Sequence, residues 1–310
     1  MSMARRTDAV HVRAPGKINV YLGVGALRGD GYHSLATVFQ AVSLYEDVHA
    51  SPSDGFSLEV SGEVDVSGVP LDDRNLALRA AKLLAAETGV RDGVHLDIRK
   101  GVPVAGGMGG GSADAAAALV ACDALWGTGI GSRGLHELAA RLGADVPFAL
   151  HGGTAVGTGR GDVLTPALAR GRFDWVLVLG GRGLSTPEMY RRLDGLRAHG
   201  DSLADDALEL LEVPVAVLQA LRSGSAEELA PVMMNDLEAA AVLDRADIEL
   251  VLADGVRMGA LTGIVSGSGP TTAFLCGGPE AAGALRDELR ASGRDALHVH
   301  GPVPGARVVD

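Results

Sequence analysis

The sequence predicts a protein of mixed helices and strands in two domains, and three observations support this. Stretches in which polar and apolar residues alternate, as in half-buried strands, are interleaved with alanine- and leucine-rich stretches of helical character. The length of 310 residues is about twice that of an ordinary domain. The character of the chain changes beyond Thr158, where the turn Gly159–Asp162 follows. We therefore expect an N-terminal domain over residues 1–158 and a C-terminal domain over residues 159–310.

The individual elements are predicted from these periodicities and from helix and turn signals. Strands are expected at Val10–Val24, Val38–Val48, Phe56–Val66, Val94–Arg99 and Trp175–Leu179. Helices are expected at Leu76–Thr88, Ala115–Trp126, Leu135–Leu142, in much of Asp205–Ala253 and near Glu280–Ala291, followed by a strand-like tail. Gly29–His33 marks a turn between the first two strands, and Gly89 ends the first helix.

The charge and the cysteine content restrict the function. A formal net charge of −12 opposes binding to nucleic acid, which requires clustered Lys and Arg, so an anionic ligand must be held by local contacts. Cys122 and Cys276 are far apart in apolar surroundings and indicate a reduced interior without a zinc site. We recognise neither a secretory signal nor a membrane-spanning run. We expect a cytoplasmic protein that acts on a small molecule, and both a monomer and a homodimer stay open.

The most informative segment is glycine-rich and runs from Pro103 to Ala116. Between Gly106 and Gly111 only Met108 interrupts the glycines, and each glycine raises the entropy lost on folding. A polyphosphate would justify this composition, because it needs converging backbone N–H groups, space without Cβ atoms and the positive end of a helix. We expect Ser112 to cap the helix that follows. Phosphate binding is assigned to Pro103, Val104, Ala105, Gly106, Gly107, Met108, Gly109, Gly110, Gly111, Ser112 and Ala113.

Two other interpretations of this glycine-rich segment stay open on the residues alone. It is not a Walker loop, because Gly111 stands where that motif places Lys before Ser112. A dinucleotide fingerprint of the form G-x-G-x-x-G can be counted loosely into it. A glycine-rich turn that binds no ligand has a similar composition.

Three further segments are candidates for chemistry. Lys17 lies in an apolar strand-like stretch, where a lysine is buried only with a partner, although a solvated strand end is the alternative. Asp145 could orient or deprotonate an attacking hydroxyl beside such a lysine, or it could simply cap the helix before Pro147. Ser266–Pro270 is a second glycine-rich turn, which on its own indicates no more than a turn.

These segments together resemble the GHMP kinase superfamily, whose three motifs occur here in the same order. They are Pro15–Asn19 (PGKIN), Pro103–Ala113 and Gly267–Pro270 (GSGP). The resemblance covers nearly the whole chain and implies a two-lobed α+β fold, with an N-terminal domain like domain 2 of ribosomal protein S5 and a ferredoxin-like C-terminal domain. It implies an active site in the cleft between the two lobes.

The resemblance also implies roles for individual residues. Lys17 and Asp145 would form a proton-handling pair. Asp145 would take the proton of the acceptor hydroxyl, while Lys17 would lower the pKa of the pair and stabilise charge on the hydroxyl oxygen. Asn75 is expected near the base or ribose of ATP. The motifs Arg28–Leu35 and Gly143–Leu150 resemble most closely the branch that phosphorylates cytidine diphosphate methylerythritol on the non-mevalonate route to isoprenoids. The residues expected to bind that acceptor are Asn19, Tyr32, His33, Thr186 and Tyr190.

ATP is the expected phosphate donor, and Mg²⁺ should accompany it. Phosphates and water are expected to hold the Mg²⁺ without a dedicated protein cage, with Ser112 and Asp114 as the nearest side chains. A homoserine or mevalonate type of GHMP kinase, a catalytically silent nucleotide-binding relative and a dinucleotide oxidoreductase are the alternatives. The sequence speaks against the oxidoreductase, because it lacks a βαβ unit with an acidic residue in a clear strand about 20 positions beyond the loop.

Overall fold

The structure is a computed structural model, and it describes residues 9–199 and 211–309. Within these residues the strands are β1 (Val10–Leu27), β2 (His33–Ser53), β3 (Phe56–Gly62), β4 (Gly93–Lys100), β5 (Thr154–Thr158), β6 (Val163–Pro166), β7 (Phe173–Val178), β8 (Met234–Asn235), β9 (Thr262–Val265), β10 (Thr272–Cys276), β11 (Ala296–Gly301) and β12 (Arg307–Val308). The helices are α1 (Leu76–Thr88), α2 (Gly110–Trp126), α3 (Gly131–Leu142), α4 (Val146–His151), α5 (Thr186–His199), α6 (Val215–Ser223), α7 (Ala226–Leu229), α8 (Glu238–Asp244), α9 (Asp247–Arg257) and α10 (Pro279–Ala291).

The larger sheet is built around the long hairpin of β1 and β2. Its order is β12-β1-β2-β4-β3, while β5 pairs with β2 and β6, and β8 pairs with β1. In the hairpin, Lys17 lies opposite Ala41 and Asn19 opposite Phe39. The residues after position 158 therefore contribute three strands, β6, β8 and β12, to the sheet that carries Lys17.

The smaller sheet is antiparallel, in the order β11-β7-β10-β9, and consists of residues from the second half of the chain. The side chains of β7 are buried along its whole length, which places this strand inside the sheet. Cys122 and Cys276 are both buried and free, in agreement with the predicted reduced interior. The mixture of helices and strands predicted from periodicity is confirmed. The domain boundary at residue 158 stays a prediction.

Small side chains allow α2 to approach the larger sheet closely. The helix buries Ala113 and the run Ala115–Ala118, and these residues pack in one core with Ala77 and Ala81 of α1 and with strands β1, β2 and β4. A core with few aromatic residues needs such close approach to reach native packing density. The helix is thereby fixed on the sheet with its first turn directed at the cleft.

The predicted elements agree with the structure in type and differ mainly at their ends. Helix α1 has the predicted bounds, because Asn75 caps it through a hydrogen bond of 2.9 Å from the N–H of Ala77 and Gly89 ends it at φ +73°. The expectation that Ser112 caps α2 is wrong: the helix begins at Gly110 and Gly109 takes the N-cap position at φ +71°. Part of the helical stretch predicted over Asp205–Ala253 lies outside the described residues.

Candidate active site

A cleft of about 1200 Å³ is lined by most of the residues that the sequence nominates. The exceptions are Met108 and Ala113, whose side chains are buried in the hydrophobic core. The glycine-rich segment, the first turn of α2, β1, the N-terminus of α5 and the turn at Gly267 and Ser268 line it. Of the nominated side chains, it is lined by Lys17, Asn19, Tyr32, His33, Asn75, Asp145, Thr186 and Tyr190. Segments as distant in sequence as β1 and α5 thus contribute to one cavity.

The glycine-rich segment and the second glycine turn are in close contact. The position that a Cβ would take on Gly107 is 2.0 Å from the carbonyl oxygen of Ser266, and that on Gly106 is 2.8 Å from Oγ1 of Thr271. Gly107 and Gly109 have φ of +77° and +71°, and Ala105 also adopts the left-handed region. Any side chain larger than hydrogen at Gly107 would therefore separate the two turns. The glycines serve this contact as well as the exposed N–H groups at the start of α2.

Lys17 is buried at the bottom of the cleft and is linked to a chain of polar side chains. Its ammonium donates to Oδ1 of Asn19 at 2.7 Å, the Asn19 amide donates to Oγ1 of Thr37 at 2.8 Å, and that hydroxyl donates to the carbonyl of Tyr21. The ring of Phe39 lies 5.4 Å from the ammonium. Burial lowers the pKa of Lys17, and the charge of Asp145 opposes this effect. Lys17 is therefore an oriented ammonium with little solvation.

Asp145 faces the same glycine as Lys17. A Cβ on Gly109 would lie 3.8 Å from Oδ2 of Asp145 and 3.3 Å from Cγ of Lys17. Asp145 occupies the N-cap position of α4, but its side chain makes no capping hydrogen bond. Its carboxylate is therefore not used by the helix. The charge of Asp145 also reaches Tyr190, whose pKa is raised to about 12 by burial first and by this carboxylate second.

A second buried lysine, which the sequence reasoning missed, lies below the next glycine. The ammonium of Lys100 donates to Oε1 of Glu46 at 2.5 Å and to Oδ2 of Asp114 at 2.6 Å. A Cβ on Gly110 would lie 2.8 Å from Oε1 of Glu46. The three side chains are buried, and Oδ1 of Asp114 has no hydrogen-bond partner. We refer to Glu46, Lys100 and Asp114 as the buried triad.

The triad has two carboxyl groups for one ammonium, and this imbalance sets its protonation. Burial raises the pKa of Glu46 to about 8, the charge of Asp114 adds to this effect, and Lys100 opposes it. Burial also raises the pKa of Asp114. For Lys100 burial acts to lower the pKa, but the charges of Asp114 and Glu46 outweigh it and raise the pKa. The raised pKa values of the two carboxyl groups favour one proton on the pair near neutral pH, which together with the ammonium of Lys100 leaves the triad close to neutral below the helix.

At the other end of the cleft, aromatic rings and an imidazole come together. Tyr190 stacks on His33 with ring centroids 5.0 Å apart, and Nε2 of His33 lies 2.9 Å from Oδ1 of Asp194. Tyr32 is more than half exposed and carries the guanidinium of Arg160, 4.8 Å from its ring centroid. The predicted turn at Gly29–His33 is present, with Gly31 at φ +82°. This end offers flat surfaces and hydrogen-bonding groups of the kind that suit a heterocyclic base.

Two nominated residues have structural partners. Oγ1 of Thr186 and Oγ of Ser268 are 2.8 Å apart, which joins the start of α5 to the second glycine turn. The amide of Asn75 is occupied at both ends, because Nδ2 donates to the carbonyl of Pro70 and Oδ1 caps α1. Asn75 therefore lines the cleft with its hydrogen-bonding capacity largely used.

Sequence reasoning missed Arg160, Glu46 and Lys100 as site residues. It named Ser268 only as part of the second glycine-rich turn, and Asp114 only as one of the side chains nearest to Mg²⁺. The triad had a usable signal, since Lys100 ends a predicted strand and, like Lys17, needs a partner if it is buried. Among the described residues, no group of three or more His, Cys, Asp or Glu side chains could hold a metal ion.

The comparisons with known proteins give first the class. Residues 75–153, which include α1, α2 and Asp145, match the family model described as the GHMP kinases N terminal domain. The structural neighbours include a homoserine kinase from Cytophaga hutchinsonii, which has a TM-score of 0.74 over all of both chains and shares 18% of residues, so it shows the fold. The α+β fold of two lobes expected from the motifs is confirmed, and the chain is a small-molecule kinase by fold and family.

The particular family follows from relatives of higher identity. A 4-diphosphocytidyl-2-C-methyl-D-erythritol kinase from Leifsonia xyli subsp. xyli is 57% identical over 97% of this chain and 99% of its own. The crystal structure of a 4-(cytidine 5'-diphospho)-2C-methyl-D-erythritol kinase has a TM-score of 0.76 and 32% identity, covering 94% of this chain and 98% of its own. The chain therefore belongs to the 4-diphosphocytidyl-2-C-methyl-D-erythritol kinase family.

This result removes one of the alternatives left open by the residues alone, the dinucleotide oxidoreductase.

A further finding concerns the membrane. Within residues 9–199 and 211–309, no helix has both the length and the apolar character needed to cross a bilayer.

Proposed function

We propose that this chain transfers the γ-phosphoryl group of ATP to the 2-hydroxyl of 4-diphosphocytidyl-2-C-methyl-D-erythritol, yielding the 2-phosphate and ADP. This reaction lies on the non-mevalonate route to isoprenoid precursors. The observation that carries the proposal is the position of Lys17 and Asp145, which flank Gly109 at the start of α2. A carboxylate, an ammonium and the N-terminus of a helix thus converge on one point of the cleft.

The donor end is the glycine-rich segment. Helix α2 presents unpaired N–H groups and the positive end of its dipole to the cleft, which favours the phosphates of ATP. The glycines keep this surface free of Cβ atoms. Below it, the raised pKa values of Glu46 and Asp114 favour one proton on their two carboxyl groups, so the buried triad is close to neutral and adds little repulsion toward the phosphates.

Proton transfer is the role of Asp145. Its carboxylate is not used by α4, so it can accept the proton of the acceptor hydroxyl as that oxygen attacks the γ-phosphorus. Lys17, held by Asn19, stabilises the negative charge that develops on the same oxygen. Phosphoryl transfer depends mainly on alignment and charge neutralisation, so this pair together with the helix is a sufficient contribution from the protein.

Mg²⁺ bound to ATP would supply further neutralisation of the phosphate charge. The residues present support a cation held by phosphate oxygens and water, with Ser112 and Asp114 nearest. Oδ2 of Asp114 already accepts from Lys100, which limits what this carboxylate can give to a metal.

The acceptor end is assigned to the cytidine group. The stacked His33 and Tyr190, together with Tyr32, provide ring faces for a base, and Asp194 orients the imidazole of His33. Homoserine and mevalonate have no base, so these residues would have no partner in a kinase for those substrates.

The proposal is tested by measuring ADP release with three acceptors, the cytidine compound, homoserine and mevalonate, at equal concentration. We expect turnover with the cytidine compound alone, and a new phosphomonoester signal in the phosphorus NMR spectrum of the product. Turnover confined to homoserine or mevalonate would contradict the assigned acceptor. Binding of ATP without ADP release for any acceptor would favour a silent relative.

A further inference from the structure

An acceptor that carries a diphosphate requires a cation near its base-binding end. The residues nominated for acceptor binding include no Lys or Arg, and the chain has a net charge of −12, which disfavours an anionic substrate unless a basic side chain is close. Among the described residues, six Lys and Arg side chains line the cleft: Lys17, Arg74, Lys100, Arg141, Arg160 and Arg191.

Most of these cations already have close partners. Lys17 and Lys100 are buried and donate to Asn19 and to the carboxyl groups of the triad, respectively. The three paired arginines are Arg74 with Asp72 at 2.8 Å, Arg141 with Glu87 at 2.9 Å, and Arg191 with Glu188. In each of these arginines the guanidinium is paired with a neighbouring carboxylate.

Arg160 differs from the others in its surroundings. Its nearest carboxylate oxygen, on Asp162, is 3.6 Å away, and its guanidinium lies over the ring of Tyr32, with Cζ 4.8 Å from the centroid. The side chain is 46% exposed. Stacking on an aromatic face fixes the plane of a guanidinium while leaving its edge free to donate. Arg160 is therefore the least committed cation in the cleft.

The turn that carries Arg160 connects the two ends of the acceptor site. It joins β5 to β6, and the carbonyl of Gly159 accepts from the N–H of Leu35 at 2.8 Å, two residues beyond His33. A Cβ on Gly161 would lie 3.5 Å from Cζ of Phe39, the ring that lies below the ammonium of Lys17. Arg160 is thus on a segment that contacts the base end on one side and the reacting end on the other.

We propose that Arg160 binds the diphosphate of the acceptor, with Tyr32 holding the guanidinium in position. A guanidinium can donate two parallel hydrogen bonds to phosphate oxygens, which gives both charge neutralisation and orientation. The diphosphate lies between the base and the reacting alcohol in such an acceptor, which matches the place of this turn. The inference rests on the proposed function for the identity of the acceptor.

The experiment compares the binding of cytidine diphosphate and of cytidine by titration calorimetry, without ATP. The wild-type protein should bind the diphosphate more tightly than the nucleoside. Arg160→Gln should weaken cytidine diphosphate about tenfold, which corresponds to about 1.4 kcal/mol, and leave cytidine within a factor of two. Arg160→Lys keeps the charge without the planar fork and should restore part of the loss.

Arg191→Gln is the matched control, because it removes another cleft cation that is already paired with Glu188. It should leave the preference for the diphosphate unchanged. Equal weakening of both ligands by Arg160→Gln would overturn the proposal in favour of a contact with the base, and an unchanged preference would overturn it outright. A wild-type protein that binds cytidine diphosphate but does not phosphorylate the acceptor would instead refute the proposed function.

Discussion

Lys17 and Lys100 lie below adjacent glycines at the start of α2, and their surroundings differ in composition. A Cβ on Gly109 would lie 3.3 Å from Cγ of Lys17, and one on Gly110 would lie 3.4 Å from Nζ of Lys100. Lys17 donates to an amide, and burial lowers its pKa. Lys100 donates to two carboxyl groups whose charges raise its pKa.

The difference indicates how one loop can combine chemistry with stability. A buried ammonium with a neutral partner is poorly stabilised in the free protein and gains from negative charge that a reaction brings. A buried ammonium between two carboxyl groups is already compensated and has little to offer a reacting oxygen. We therefore assign Lys17 to the reaction and Lys100 to the support of α2. Four predictions test this division.

The largest expected effect is on turnover at the Lys17 end. Asp145→Asn removes the proposed proton acceptor while preserving its shape, so kcat should fall about 100- to 10,000-fold. The binding constant for ATP, measured by calorimetry, should change little, because we propose that the glycine-rich segment holds the phosphates. Retention of near-normal kcat would refute Asp145 as the base. Asp194→Asn, at the base end, is the matched control and should raise KM for the acceptor more than it lowers kcat.

The next effect separates the two lysines by stability. Lys100→Met leaves two carboxyl groups buried without their ammonium and should lower the free energy of unfolding by about 3–5 kcal/mol. Lys17→Met removes an ammonium that burial already disfavours, so the cost should be about 1 kcal/mol, the hydrogen bond to Asn19.

Urea denaturation of both variants measures this difference in stability, and the kinase assay compares their turnover. Lys17→Met should be folded and inactive. If both substitutions destabilised the protein equally, the assignment of separate roles to the two lysines would fail.

A smaller effect is expected from the two glycines. Gly110→Ala places a Cβ 2.8 Å from Oε1 of Glu46 and should cost about 1–3 kcal/mol of stability. Gly109→Ala must adopt φ near +71° and crowds Cγ of Lys17, so it should lower kcat as well as stability. Gly111→Ala is the control, since its Cβ would meet no atom closer than 3.8 Å. A destabilised Gly111→Ala protein would show that the first turn tolerates no side chain and would remove the distinction.

The fourth prediction concerns pH. Because the pKa of Glu46 is raised from 4.5 to about 8, the folded protein keeps a proton that the unfolded chain releases above about pH 4.5. Glu46 therefore stabilises the fold at low pH, and this contribution is lost as the pH rises through about 8. Glu46→Gln cannot titrate and should flatten this part of the curve of unfolding free energy against pH.

The absolute stability of Glu46→Gln should also fall, because both carboxyl oxygens of Glu46 accept hydrogen bonds, from Lys100 and from the N–H of Gly101, and the amide nitrogen of Gln cannot accept. The slope is therefore the informative quantity. An unchanged slope between about pH 5 and 9 would show that Glu46 is ionised throughout and that the triad carries a net negative charge.

The sequence predicted those parts of the candidate site that depend on local signals. The glycine-rich segment, the strand holding Lys17 and the helix beginning after Asn75 were all expected, since caps, glycines and periodicity act over a few residues. The expectation that Ser112 caps α2 was wrong. Both Ser and Gly are common N-caps, and here the helix begins directly after Gly109, whose φ is +71°.

Motif resemblance extended the prediction to residues that are far apart, and the cleft does bring Lys17, Asp145 and Tyr190 together. It could not supply the triad, because Glu46 and Lys100 belong to no motif and meet Asp114 only through the pairing of β2 with β4 and the packing of α2 on that sheet. Arg160 was missed likewise, since its place over Tyr32 depends on the pairing of β5 with β2.

By itself, the sequence determined the fold class and the family of this protein and located its glycine-rich segment, because these depend on local composition and on motifs of a few residues. Only the tertiary structure decided which carboxyl groups surround each buried lysine and which cation remains available to an acceptor. The physical reason is that electrostatic environment depends on burial and on distances between side chains remote in sequence, and these are set by strand register and helix packing.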